Sequence, residues 1–173
     1  MKHLILMRHA SAGPAADDRA RPLSAAGRGD ALRMGRALLA LAASGFRPEW
    51  ALVSPALRAQ ETLANVRSAL RSLAGAEADE ALYLADAGRL LSRLRRLPEE
   101  TPQLLVVGHN PGLSELLHAL VGRAAAEVQR RVAHGLAPAA CAALRIGDLP
   151  WRELEPGDAE LVTLLTPGSG RRD

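Results

Sequence analysis

The chain has 173 residues, 48% of them hydrophobic and 24% charged, which suits one domain with one well-covered core and excludes a disordered or fibrous chain. Its formal net charge is only +3 and its aromatic content 2%. With no dense Lys/Arg block and almost no ring for a base to stack on, a nucleic-acid surface is not expected, and the scattered arginines read as solvated helix faces.

In chain order, the first apolar run of strand length is residues 3–7, which stops abruptly at Arg8-His9 and small residues. The run at the N-terminus is too short for a signal peptide, and no segment approaches the length of a membrane span, so a cytoplasmic location is expected. Residues 24–43 carry a helical period, with Leu32, Gly35, Leu38, Leu39 and Ala42 near one face. A strand is predicted at 50–54 and a helix at 55–73. Residues 75–86 read as a short connection, and 87–97 as a helix closed by Pro98. A third strand, 104–108, feeds a helix at 111–121 that ends before Gly122. Strands at 141–146 and 160–165 follow with only a loop between them, so one of them is expected as an antiparallel edge. Cys141, the one cysteine, lies in an apolar run and reads as a buried structural thiol; it can form no intramolecular disulfide and no multi-cysteine zinc site. The tail PGSGRRD is expected to fray. Alternating strands and helices over one domain, 1–173, predict an α/β fold with a mostly parallel sheet covered on both faces.

Three polar clusters stand at strand ends: Arg8-His9, then Ser54 to Thr62 (SPALRAQET), then VGHNPG around His109. Ligands of open parallel sheets sit outside the carboxyl ends of the strands, so all three should converge on one pocket. Ser54-Pro55 and Asn110-Pro111 each look like an N-cap followed by a first-turn proline, which would point two helix N-termini at that pocket. Arg58 lies about one turn into its helix, where Glu61 could hold its guanidinium. Two arginines suited to phosphate oxygens, two imidazoles and two helix N-termini describe a phosphoryl site. A metal site is not expected, because no carboxylate pair or cysteine cluster joins His9 and His109 and the arginines would repel a cation. An imidazole attacks phosphorus through an unprotonated nitrogen, and a backbone carbonyl in the turn at 10–13 could hold the proton on the other one. Taken singly, each motif is usually incidental, and His3, His118 and His134 are read that way. Together, each at a strand's carboxyl end, they are specific.

These residues, in this order and over nearly the whole chain, resemble the histidine phosphatase superfamily, also called the phosphoglycerate mutase-like family. The short length and the RPLS segment at 21–24 are similar to its SixA-type phosphohistidine phosphatases. The resemblance implies a three-layer α/β/α sandwich, a phosphohistidine enzyme intermediate and no cofactor. It implies that His9 is the nucleophile, that Arg8, Arg58 and His109 form the phosphate pocket, and that Arg21 is a further basic residue beside it. Many members carry an acidic proton donor in a longer insertion. Here only the connection at 75–86 is available, and Glu80 is the best candidate in it. The expected activity is removal of phosphate from a histidine-phosphorylated protein, with no nucleic acid or membrane as partner. The alternatives are a phosphatase of a small phosphate ester and a phosphate-binding regulatory domain without turnover.

Overall fold

Strand β1 (Lys2–Arg8) is buried from Lys2 to Met7 and divides the core in two. Its side chains alternate between sheet faces. Leu4 and Leu6 belong to one apolar cluster, Ile5 and Met7 to the other. The computed structural model describes residues 1–122 and 126–168. After β1 come α1 (Ala25–Ala40), β2 (Trp50–Val53), α2 (Leu57–Arg67), β3 (Gly75–Ala78), α3 (Ala87–Leu94), β4 (Gln103–Gly108), α4 (Gly112–Val121), α5 (Ala126–Val132), β5 (Cys141–Gly147) and β6 (Glu160–Leu165). The six strands form one sheet in the order β3-β2-β4-β1-β5-β6. Helices α1 and α2 supply Met34, Leu38, Leu63 and Val66 to the cluster on one face. Helices α3, α4 and α5 supply Leu90, Leu117 and Val132 to the other. The result is the α/β/α sandwich that the alternation of elements predicts.

Four strands, β3, β2, β4 and β1, run parallel. The edge strand β6 pairs antiparallel, as expected, with β5, and β5 in turn pairs antiparallel with β1, so the reversal begins one strand inside the edge. Strand β3 replaces part of the connection expected at 75–86. Its sequence, GAEA, has neither a β-branched residue nor an apolar run, and it forms as an exposed edge because Gly75 lies flat on the Trp50 ring. A 3-10 turn, Glu80–Leu82, follows it. Helix α2 ends at Arg67, several residues before the predicted end at 73, and Leu70 and Leu73 are buried from the turns beyond it. Cys141 is fully buried, and burial pushes its thiol up to about 12, which suits the structural reading. No helix among the described residues is long and apolar enough to cross a membrane. The tail beyond residue 168 lies outside the described residues.

One close approach positions the rim of the site. Helix α4 opens on Gly112, and a Cβ there would stand 1.8 Å from the carbonyl oxygen of Ala85. The segment from Tyr83 to Asp86 can lie against α4 only because this residue has no side chain. Gly112→Ala therefore forces backbone apart and should cost on the order of 2 kcal/mol, as overpacking does. For a chain of this size the melting temperature should fall by roughly 4–8 °C. Thermal unfolding checks this, and an unchanged melting temperature would show that the 83–86 segment gives way freely.

Candidate active site

The backbone of His9 is fixed from two sides before its side chain is considered. Its N–H donates to the carbonyl of Gly108 at the end of β4, and its carbonyl accepts from Ala139 N–H. The turn that follows is tied to α2, where Ala10 N–H donates to Thr62 Oγ1 at 3.0 Å. Thr62 in turn donates to the carbonyl of Arg58 at 2.7 Å. The ends of β1, β2 and β4 thus meet, as the placement of the three polar clusters predicts.

They meet around Arg58, which is 3% exposed. Its Nε donates to His9 Nε2 at 3.3 Å, and its Nη2 lies 3.4 Å from His109 Nδ1. The same guanidinium donates to Asp18, to the backbone carbonyl at 2.6 Å and to Oδ2 at 3.0 Å. A guanidinium only donates, so the imidazole nitrogens facing it must accept. The other ring nitrogens then carry the protons. His9 Nδ1 donates to the carbonyl of Ala10 at 2.7 Å, within the turn where such an acceptor is expected. His109 Nε2 donates to Ser54 Oγ at 2.7 Å. Burial, opposed by the Ala10 hydrogen bond and reinforced by Arg58, Arg8 and Arg21, lowers His9 to about 4. Burial, then His9 and Arg58, lowers His109 to about 3. Both rings are neutral at pH 7, with His9 Nε2 unprotonated.

A cleft of about 420 Å³ opens here, lined among others by Arg8, His9, Arg21, Arg58 and His109. Arg8 is anchored by a hydrogen bond from Nη1 to the carbonyl of Leu136 at 3.2 Å, and its buried Nε has no hydrogen-bond partner among the described residues. Arg21 donates through Nε to the carbonyl of Gly13 at 3.0 Å. Five of the six residues singled out from the sequence therefore share one cleft. The sixth, Glu80, does not line it. Its carboxylate takes two hydrogen bonds from Arg19, at 3.0 and 2.9 Å, which lower its pKa. Glu80 therefore stands outside the cleft, paired with a guanidinium, and this corrects the expectation that placed it at the site. Among the described residues, no group of three or more His, Cys, Asp or Glu is placed to hold a metal ion.

Three local expectations are also corrected. Ser54 does not cap α2; the cap position is Ala56, and the Ser54 hydroxyl serves His109 instead. Asn110 does not cap α4, because its side chain bridges the Leu136 carbonyl and Ser114 Oγ. Glu61 does not hold Arg58; it accepts from Leu23 N–H at 2.6 Å. The carboxylate on Arg58 is Asp18, which sequence reasoning missed. Hydrogen bonds from Tyr83 and Arg58 lower Asp18 to about 2. The one available signal was an acidic pair, Asp17-Asp18, just ahead of Arg19 and Arg21 in the loop after a strand-end histidine. Tyr83 donates to Asp18 at 2.7 Å, sets its ring edge-on to His109 and lies under the Arg19 guanidinium. A second cavity, of about 540 Å³ between α2 and β3, contains no histidine, cysteine or carboxylate in its lining.

No family profile matches the chain. An uncharacterized protein of Mycobacterium tuberculosis is 34% identical over 118 residues, covering 67% of this chain and 72% of that protein. Among solved structures, a candidate phosphohistidine phosphatase SixA from Nakamurella multipartitia superposes with a TM-score of 0.79 at 27% identity, over 96% of both chains. A protein histidine phosphatase SixA in complex with tungstate gives a TM-score of 0.77 at 25% identity, over 98% of this chain and 99% of the other. On this likeness along the whole length, together with the arrangement of Arg8, His9, Arg58 and His109, the chain belongs to the histidine phosphatase superfamily and to its SixA-type branch.

Proposed function

We propose that the protein removes phosphate from phosphohistidine on a protein substrate, through a phosphohistidine formed on His9. The phosphoryl group would lie in the cleft with its oxygens on Arg8, Arg58 and Arg21, beside the His109 ring, whose one N–H is held by Ser54. The lone pair of His9 Nε2 attacks phosphorus, and the bond from phosphorus to the substrate's ring nitrogen breaks. The substrate's ring, protonated from solvent on its other nitrogen, leaves as neutral imidazole. Water then attacks the phosphorus on His9, which releases inorganic phosphate and restores the neutral ring. Fixed guanidinium groups aimed at the equatorial oxygens supply most of the stabilisation such transfers need. The tungstate-bound SixA supports this reading, since tungstate is a tetrahedral oxyanion like phosphate.

The observation that carries the choice of substrate is the state of the carboxylates. Asp18 is the carboxylate in the cleft lining among the described residues, and Arg58 and Tyr83 keep it ionised. Glu80 is kept ionised outside the cleft by Arg19. An alkoxide leaving group needs a proton in the transition state, and neither carboxyl has one to give. A substrate ring protonated on its other nitrogen leaves as neutral imidazole, far less basic than an alkoxide, and needs no acid from the site. A phosphoramidate therefore suits this site better than a sugar or glycerate phosphate.

Four measurements test the reading. Wild-type enzyme quenched during turnover should carry acid-labile, base-stable phosphate on His9, and His9→Ala should lose turnover while keeping its melting temperature. Phosphate found on a serine, or none trapped from an active enzyme at any quench time, would overturn the proposal. Arg58→Lys keeps the charge but loses the planar fork that reaches both rings. It should lower kcat/KM at least about tenfold, or ~1.4 kcal/mol. An equal value would remove Arg58 from the phosphate clamp. Nitrogen NMR of the ring nuclei should find His9 and His109 neutral at pH 6, with the proton of His9 on Nδ1. Stability should fall as pH drops from about 6.5 towards 4. The unfolded chain binds protons on these rings below its ordinary histidine value. The folded rings, at about 4 and 3, bind them later, so lower pH favours unfolding. A His9 signal titrating above pH 6 would refute the geometry argued here.

A further inference from the structure

Leu84 combines three properties that rarely coincide. It lines the mouth of the cleft, it is 58% exposed, and its φ is +45°, in the left-handed region. A non-glycine residue there is strained, and glycine or asparagine is the ordinary choice. Ala139 is also left-handed, at φ +61°, but it is fully buried and its N–H is used by the His9 carbonyl, so packing accounts for it. Nothing comparable accounts for a leucine at 84. The backbone on either side explains why a sharp turn is needed. Tyr83 is pinned by Asp18 and by the His109 ring, and Ala85 is pressed against Gly112. Asp86 then caps α3 through the N–H of Arg89. That explains the turn, not the side chain. A purely structural position would accept glycine or asparagine with less strain, and an exposed leucine gains nothing from the fold.

We propose that Leu84 is a substrate-recognition residue, an apolar wall against which the imidazole ring of the substrate's phosphohistidine packs while its phosphoryl group lies among the arginines. The inference rests on the phosphohistidine reading above and names the part of that substrate that Leu84 meets. The cleft floor is cationic and fits the phosphoryl group. At the mouth, Leu84 and Pro138 are apolar, and Ala12 adds a small residue between the polar ones. A group attached to phosphorus opposite His9 must leave toward that mouth for an in-line displacement. A flat, weakly polar ring suits a leucine wall, and burying that side chain against it strengthens binding.

The test compares wild type with Leu84→Asn and Leu84→Met on three substrates: a phosphohistidine protein, free phosphohistidine, and phosphoramidate, which has the same phosphorus–nitrogen bond and no ring. Asparagine tolerates the left-handed conformation, so Leu84→Asn should melt no lower than wild type. Its loss of kcat/KM on both phosphohistidine substrates should exceed its loss on phosphoramidate by about tenfold, the order expected for one leucine side chain, and should lie mainly in KM. Leu84→Met should restore most of it. A lower melting temperature with equal losses on all three substrates would make Leu84 structural and overturn the proposal. So would a loss confined to the phosphohistidine protein, because the contact would then be to flanking residues rather than the ring. A wild-type enzyme that hydrolyses small phosphate esters but no phosphohistidine would sink the functional reading itself, and the ring contact with it; an active wild type with an unaffected asparagine variant would sink the ring contact alone.

Discussion

A guanidinium buried as deeply as that of Arg58 cannot shed its charge, so the chain around it must supply acceptors. It supplies four: the Nε2 of His9, the Nδ1 of His109, and the backbone carbonyl and Oδ2 of Asp18. Most of the site follows from that demand. Each imidazole turns a lone pair toward the cation and so carries its proton on the far nitrogen. Each proton then needs an acceptor, which the structure provides at a strand end: the Ala10 carbonyl after β1 and the Ser54 hydroxyl after β2. One buried cation thus sets both tautomers, while burial, reinforced by that cation, keeps both rings neutral. The Nε2 of His9 is left unprotonated by burial and by the fixed charge that faces it, so on the proposed mechanism no separate base is required.

The other wall of the cleft depends on the one strand that breaks the parallel pattern. Because β5 runs antiparallel to β1, with Cys141 opposite Met7, the segment leading into β5 lies beside the carboxyl end of β1. A parallel strand would have delivered that segment to the opposite end of the sheet. The Leu136 carbonyl is therefore available to accept from both Arg8 and Asn110, and Pro138 stands at the cleft's mouth. Ser114, one turn into α4, accepts from Leu136 N–H and closes the loop onto the helix. The mixed sheet is what brings the Leu136 carbonyl to Arg8 at the cleft.

The sequence made the placement of strand-end groups legible, because that depends on one rule about parallel sheets and on residues adjacent to recognisable apolar runs. Arg8, His9, Arg58 and His109 are all of this kind. Contacts across loops were not legible. Asp18 reaches Arg58 over 40 positions, Tyr83 reaches Asp18 over 65, and Arg8 reaches Leu136 over 128. Ser54 and Asn110 were misread for a different reason. Their side chains can cap a helix locally or bond a distant group, and the local pattern looks the same in both cases. Glu80 sat in the right segment, but its state is decided by Arg19, which approaches from another loop. Strand β3 was missed because pairing with β2 and the flat contact on Trp50 form it, while its own residues have low strand propensity.

The neutral rings also settle the charge balance of the cleft. Its lining carries three guanidinium groups, Arg8, Arg21 and Arg58, against one carboxylate, Asp18, a surplus of two positive charges. A phosphoryl group carries about −1.5 to −2 at neutral pH, so the two match. Were both imidazoles protonated, the surplus would double and His9 would have no lone pair with which to attack. A transferred phosphoryl group would then be bound too well and could not have been transferred. On the proposed mechanism the group moves from one ring nitrogen to another without leaving this cage, and its charge is unchanged when it reaches His9. The same arginines therefore face the same charge before and after the step. Stabilisation specific to the transition state must come from geometry: donors placed for the planar, equatorial arrangement of oxygens rather than for the tetrahedral one. The contacts that hold Arg58 and Arg8 still matter for this reason, and a cleft lined with equally charged but mobile side chains would bind phosphate without transferring it.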